Sequence, residues 1–210
     1  MKSKGVLLVI SGFAGTGKGT LVKSLLENYD NYALSVSATT RAPRKNEVEG
    51  VHYFYKTREE FLAMIEQGEL VEYAEYVGNY YGTPRAYVEQ QLAQGKDVIL
   101  EIEIQGALKI KERFPDTMLL FLLPPDADTL KERLEGRGTE TAEVIQKRLA
   151  RAVEEAQYIE KYDYLVINDD LETCVKEAHA VIQSQHFQTK RNLEFLSEMK
   201  NGLEKFKNNN

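Results

Sequence analysis

The residues Gly12, Phe13, Ala14, Gly15, Thr16, Gly17, Lys18, Gly19 and Thr20 follow the apolar run Val6 to Ile10 and open a stretch of helical spacing. Glycines this dense let a backbone take φ > 0 and approach a ligand closely, so that successive N–H groups and a helix N-terminus converge on anionic oxygens. Lys18 adds a point charge for a terminal phosphate. The spacing follows G-x-x-x-x-G-K-[ST] as far as its last position, where Gly19 stands and a hydroxyl arrives one residue late at Thr20. A nucleoside triphosphate is the expected ligand, and Gly19 removes the hydroxyl that would ordinarily meet Mg2+.

A second set of residues suits a second phosphate. Arg41 and Arg44 flank Pro43, and Arg133, Arg137 and Arg148 lie in a charged helical stretch, Arg137 between two glycines. Guanidinium groups engage phosphate oxygens bidentately and stay charged at any working pH, so arginines on separate pieces of chain suit a site enclosing two polyphosphate groups. Lys131, Lys147 and Arg151 read instead as solvated helix faces. Glu72 sits inside the aromatic run Leu70 to Val77. A carboxylate facing a pocket accepts the paired N–H donors of guanine, whereas adenine turns an unprotonated ring nitrogen toward it and is rejected. Glu75 reads as the solvent-facing member of the same run.

These groups need elements to hold them. Val6 to Ile10, Val98 to Ile102, Met118 to Leu123 and Tyr164 to Ile167 are near-continuous apolar runs, as parallel strands covered on both faces require. Leu21, Val22, Leu25 and Leu26 recur at helical spacing directly after the glycine loop. From Val36 to Thr83 the chain is more polar: Val51 to Tyr55 and Leu70 to Val77 suit short antiparallel strands. A helix between them is capped by Thr57 and Glu60, buries Phe61, Leu62 and Ile65, and ends at Gly68. Thr83-Pro84 predicts a hydroxyl-capped helix ending at Gly95. From Asp126 to Tyr158 the pattern is helical, charged and poor in apolar residues, as suits a lid. At the C-terminus, Leu196, Met199, Leu203 and Phe206 form an apolar stripe, expected to pack on the core rather than across a dimer.

The chain has 210 residues, 24.0 kDa, a net charge of −6 and a pI near 5.3, which argues against nucleic acid as a partner. Cys174 is the only cysteine, and His52, His179 and His186 are widely separated, so neither a disulfide framework nor a zinc site is expected. No stretch has the length and apolarity of a membrane span, so a cytoplasmic protein, monomer or homodimer, is expected.

In order along the chain stand Ser37-Ala38-Thr39-Thr40-Arg41-Ala42-Pro43-Arg44, Glu47, Gly50 and Tyr53, then Gly78-Asn79-Tyr80-Tyr81-Gly82-Thr83 and Leu100-Glu101-Ile102-Glu103-Ile104-Gln105-Gly106, and finally Gly136-Arg137-Gly138-Thr139-Glu140 with Ile167-Asn168-Asp169-Asp170. With these motifs the sequence from about Val6 to Leu171 resembles the guanylate kinase family, of the bacterial cytoplasmic kind. The resemblance implies an α/β fold: a P-loop NTPase-type parallel sheet with helices on both faces (1–35, 84–125 and 159–210), a small mixed α/β GMP-binding insertion (36–83) and a helical lid (126–158). It also implies ATP and GMP, or dGMP, as substrates, with Mg2+ carried on ATP. By the same resemblance Ser37, Glu72 and Thr83 contact the guanine base, while Arg41, Arg44, Tyr53 and Tyr81 hold the phosphate of GMP. Lys18 and the amides of Gly12 to Thr20 hold the ATP phosphates, Arg133, Arg137 and Arg148 reach the transferring phosphoryl group, and Asn168 lies near the adenine. Glu101 stands where the family has an acidic residue near the phosphates and the metal, so that Mg2+ would depend on ATP, water and either Thr20 or Glu101. Phe13-Ala14 replaces a frequent Pro-Ser, with little loss expected because the loop works through its backbone. Two rivals are a catalytically silent guanylate-kinase-like interaction module and a kinase for another nucleoside monophosphate.

Overall fold

The computed structural model describes residues 4–44, 46–76, 78–136 and 141–207. The apolar runs form five parallel strands, β1 (Leu7–Gly12), β2 (Tyr32–Leu34), β7 (Asp97–Glu101), β8 (Met118–Leu123) and β9 (Tyr164–Ile167), in the order β2-β7-β1-β8-β9. Four strands make a second sheet, β3 (Ala38–Thr39), β4 (Phe54–Tyr55), β5 (Leu70–Tyr76) and β6 (Asn79–Pro84), in the order β4-β3-β6-β5. The helices are α1 (Lys18–Asn28), α2 (Arg58–Glu66), α3 (Arg85–Ala93), α4 (Ile104–Arg113), α5 (Ala127–Glu135), α6 (Ala142–Ala156), α7 (Leu171–Ser184) and α8 (Leu193–Glu204).

Both faces of the parallel sheet are covered, which is why its strands read as unbroken apolar runs. Leu8 and Ile10 of β1 pack with Leu21 and Leu25 of α1 and Ala178 and Ile182 of α7. Val9, between them in sequence, packs on the opposite face with Val88 and Leu92 of α3 and Ile110 of α4. Each fully buried leucine or isoleucine contributes about 1.5–3 kcal/mol, so β1 and β8, buried over four and five successive residues, anchor the sheet. A third cluster joins Phe13 of the loop to Phe121 of β8, Leu130 and Leu134 of α5, and Ile145 and Ala152 of α6. The sparse apolar residues of the charged helical stretch thus complete a core shared with the loop.

Four local expectations change. β4 pairs with β3 in parallel, and among the described residues only β5 with β6 and β3 with β6 run antiparallel. Thr83 does not cap a helix: β6 continues through it to Pro84, α3 begins at Arg85 without a side-chain cap, and the Thr83 hydroxyl donates to Glu72 at 2.8 Å. Leu62 of α2 is exposed while Phe61 is fully buried, although the Thr57–Glu60 capping box forms as expected. The C-terminal stripe does not pack on the core, for α8 has no buried residue and Met199, Leu203 and Phe206 are exposed. Sequence periodicity marks an apolar face but says nothing of what covers it.

Candidate active site

The carboxyl ends of β1, β7 and β9 lie on one edge of the parallel sheet, the edge at which open α/β sheets bind ligands. Each end leads into expected site residues: Gly12 to Thr20 after β1, Glu101 closing β7, and Asn168 after β9.

Gly17 is the N-cap of α1 at φ 89°, and Gly15 lies at φ 93°, both in the left-handed region that glycine enters without strain. No side-chain hydrogen bond caps α1 and its first turn carries no acidic residue, and the N–H groups of a helix's first turn point out of its N-terminal end, here toward the loop. Thr16 is fully buried, its N–H and Oγ1 both donating to the Phe13 carbonyl, at 3.3 and 3.0 Å. The Lys18 ammonium curls under the loop and donates to the carbonyls of Gly12, at 2.6 Å, and Phe13, at 3.0 Å. Asn168 is buried, and its Nδ2 donates to the Thr16 carbonyl at 2.8 Å. The amide expected beside adenine thus braces the loop from below. Phe13 is buried with its ring edge-on to Phe121, and Ala14 is half-buried against the same cluster.

Glu101 pairs in register with Ile10, and its Oε1 comes within 3.9 Å of where a Cβ on Gly19 would stand. The residue is exposed by area, yet its carboxyl sits low between loop and strand ends. Lost hydration there pushes its pKa up, against the opposing pull of Lys18.

The second sheet supplies the other half. Leu70 pairs with Pro84 and Tyr73 with Gly82, so β5 carries one residue more than β6 between these points. This bulge sets Val71 and Glu72 together opposite Thr83, with Val71 buried among α3 and α4 residues and the Glu72 carboxylate turned onto the Thr83 hydroxyl. Burial pushes the pKa of Glu72 up, opposed by the Thr83 hydroxyl and by Lys109. Glu72 Oε2 approaches to 3.8 Å of a Cβ placed on Gly106 of α4, so the carboxylate faces the parallel-sheet body. Ser37, one step beyond the Ala38–Gly82 pair, falls opposite Thr83 and is half-buried.

Arg41 donates to Glu47 Oε1 at 2.8 Å and to the Ala42 carbonyl at 2.8 Å, with its guanidinium carbon 5.3 Å from the centre of the Tyr53 ring. Tyr53 and Tyr81 meet edge-on at 6.0 Å, and the Arg44 side chain is exposed. Glu47 is the member of this group that sequence reasoning did not assign. Its second oxygen accepts from the Arg44 N–H at 2.7 Å and the Tyr55 hydroxyl at 2.9 Å. Arg41 first, then the Arg44 amide, pull its pKa down from 4.5 to about 2. The signal was available: a carboxylate three residues after Arg44, inside the quoted motif. A depressed acid pKa means that this ordering of the arginine is present above pH 4.5 and is lost as pH falls toward about 2. Glu47→Gln raises KM for the phosphate-bearing ligand of the second sheet roughly tenfold or more, the loss of one hydrogen bond between charged groups. A KM within error of wild type would remove Glu47 from this role.

Arg133 lies on α5 beside Leu134, whose side chain would meet a Cβ on Gly15 at 3.0 Å, and is half-buried. Arg148 of α6 is half-buried and engaged, next to Leu149 of the loop cluster. Arg137 lies outside the described residues. The cations read as solvated are so: Lys131 pairs with Glu135, Lys147 with Glu143, and Arg151 with Glu155 and Glu103.

A glycine loop on the central strand, its lysine at the mouth of a helix, and a second sheet presenting an arginine, tyrosines and a half-buried carboxylate define a P-loop phosphotransferase with a nucleotide acceptor. The family model described as guanylate kinase matches residues 4–185. The guanylate kinase of Halalkalibacterium halodurans is 55% identical over 193 residues, covering 92% of this chain and 95% of the relative, and that of Lactococcus lactis is 50% identical over 194 residues at 92% and 95%. The crystal structure of guanylate kinase from Anaplasma phagocytophilum superposes with a TM-score of 0.71 at 36% identity, covering 93% of this chain and 95% of that one. The chain belongs to the guanylate kinase family.

Proposed function

We propose that this chain catalyses ATP + GMP ⇌ ADP + GDP, supplying guanine nucleotide synthesis and recycling GMP. The observation that carries the reading is the Glu72–Thr83 pair, a carboxylate and a hydroxyl aimed by a bulge, in the same molecule as the Lys18 loop. Residues 36–83 act as the GMP-binding region, 126–158 as the lid, and 1–35, 84–125 and 159–210 as the core. Glu72, Ser37 and Thr83 read the base. Arg41, Arg44, Tyr53 and Tyr81 hold the acceptor phosphate, with Glu101 beneath it, and Asn168 serves the ATP side by bracing the loop.

The acceptor oxygen bonds to the γ-phosphorus in line with the breaking bond to the bridging oxygen, and ADP leaves. A phosphate monoester has its second pKa at about 6, so the acceptor oxygen is already ionised near neutral pH and no strong general base is required. The chain's work is positioning, charge neutralisation by Lys18, Arg133, Arg137 and Arg148, and exclusion of water, the competing acceptor. The donors fit Mg2+, because that ion keeps several waters and takes one or two carboxylates with substrate phosphates, and Glu101 offers a single carboxylate beside Gly19. Glu101, through water, and the Thr20 hydroxyl would hold the ion, which when bound neutralises charge on the phosphate oxygens.

An ADP-release assay across GMP, dGMP, AMP, UMP and dTMP tests the proposal. GMP and dGMP are turned over and the others are not; a chain inert toward all five is an interaction module, and preference for another base refutes the guanine reading. Glu72→Gln lowers kcat/KM for GMP by about ten- to a hundredfold, through loss of hydrogen bonds to a charged acceptor, and narrows the gap to AMP because the amide offers an N–H to the adenine ring nitrogen. Unchanged selectivity would count against Glu72 as the base reader.

A further inference from the structure

Phe13 stands in the loop that grips phosphate, yet its side chain faces away from the concavity and into protein. Its carbonyl takes donors from Lys18 Nζ at 3.0 Å, Thr16 N at 3.3 Å and Thr16 Oγ1 at 3.0 Å, so it is the backbone atom around which the loop is folded. Its ring meets Phe121 edge-on at 5.2 Å between centres, and Phe121 meets Tyr162 the same way at 5.0 Å. Leu130 and Leu134 of α5 and Ile145 of α6 are buried in this one cluster. These are the helices that bear Arg133 and Arg148. From this arrangement we infer that Phe13 is a positioning residue, tying the phosphate loop to α5 and α6 so that a nucleotide seated on the loop fixes the posture of the helices carrying the arginines. The inference rests on the phosphotransferase reading above.

The physical warrant is that packed interiors transmit displacement: a close-packed aromatic cluster cannot absorb a shift of one member without moving its neighbours. A ring whose own carbonyl holds the lysine and the loop threonine couples the two sides in both directions. When the loop closes on phosphate and Lys18 changes partner, the Phe13 carbonyl is disturbed and its ring shifts against Leu130 and Leu134. A small side chain at position 13 leaves the loop amides in place and cuts that link. The expected loss is in transfer rather than in binding, since a misplacement of about 1 Å in groups that orient a reaction costs up to roughly a hundredfold in rate.

Amide hydrogen exchange and steady-state kinetics on the full chain test this, with a non-hydrolysable ATP analogue as the probe. In the wild type the analogue protects residues 12–20 and also α5 and α6. In Phe13→Ala protection at 12–20 remains, that of α5 and α6 falls, kcat drops by roughly tenfold or more, KM for GMP stays within about twofold, and a larger share of ATP is hydrolysed instead of transferred. Phe13→Leu retains most of the volume and gives an intermediate result; it carries the test where Phe13→Ala does not fold. Protection of α5 and α6 that is equal in wild type and both folded variants, or absent in the wild type, overturns the proposal. Wild-type turnover of GMP in the same assay reports separately on the phosphotransferase reading, so the two can fail independently.

Discussion

Lys18→Ala lowers kcat by about a hundredfold or more while the chain stays folded. Under the proposed mechanism the lysine's charge is the only one the loop itself brings to the phosphates, and loss of one preorganised donor to developing charge costs roughly 10²–10³ in rate, about 2.7–4 kcal/mol. In this structure the ammonium is already held at the loop, on the Gly12 and Phe13 carbonyls, so little reorganisation separates it from a phosphate oxygen. Lys18 is a member of none of the hydrophobic clusters, so the chain stays folded without it and circular dichroism should match wild type. Single-turnover transfer from ATP to GMP measures the effect, and turnover near wild type would refute the assigned role.

Asp97→Ala costs about 3–5 kcal/mol of stability, the range for removing one partner from a buried charged network. Asp97 is fully buried at the opening of β7 and accepts from Val6 N at 2.8 Å, Asn31 Nδ2 at 3.0 Å, Gln183 Nε2 at 3.0 Å and His186 Nε2 at 2.9 Å. Alanine strands all of these donors at once. For a chain of this size that corresponds to a fall in Tm of about 10 °C. Glu101 closes the same strand about 13 Å away at roughly 3.3 Å per residue, so kcat of the folded fraction at low temperature is unchanged. The measurement is a thermal melt beside an assay at 25 °C, about room temperature. A melt that coincides with wild type would show that the network is dispensable. His186 lies just past residue 185, where the match to the family model stops, so this carboxylate also fastens the last part of the chain to the sheet.

Much of the site was legible because its chemistry is local. The glycines, lysine and helix start between Gly12 and Thr20 are contiguous, and strands buried on both faces announce themselves as apolar runs. The capping box at Thr57 and Glu60 and the paired charges of α5 and α6 needed only spacings of three and four. What escaped depends on residues far apart. Thr83 followed by proline satisfies the local rule for a helix cap, but Glu72, 11 residues away and brought in by a bulge, takes its hydroxyl. β3 and β4 are each two residues long, too short to show a period, so their parallel pairing could not be read. Asp97 looks like the polar edge of an apolar run, and its partners lie up to 91 positions away. Glu47 was visible in its motif but unassigned, because its work is on Arg41 rather than on a ligand.

The loop is unevenly open to evolutionary drift. At Phe13 and Ala14 the side chains face protein, so other residues can be tried there with effects graded by how they fill the cluster. Gly17 is closed twice over: at φ 89° any side chain is strained, and a Cβ would stand 2.6 Å from Asn168 Nδ2. Shortening Asn168 would clear the space but leave the strain, and would also release the Thr16 carbonyl. No single compensating change elsewhere relieves both, so a lineage that loses this glycine regains the loop only by reversion.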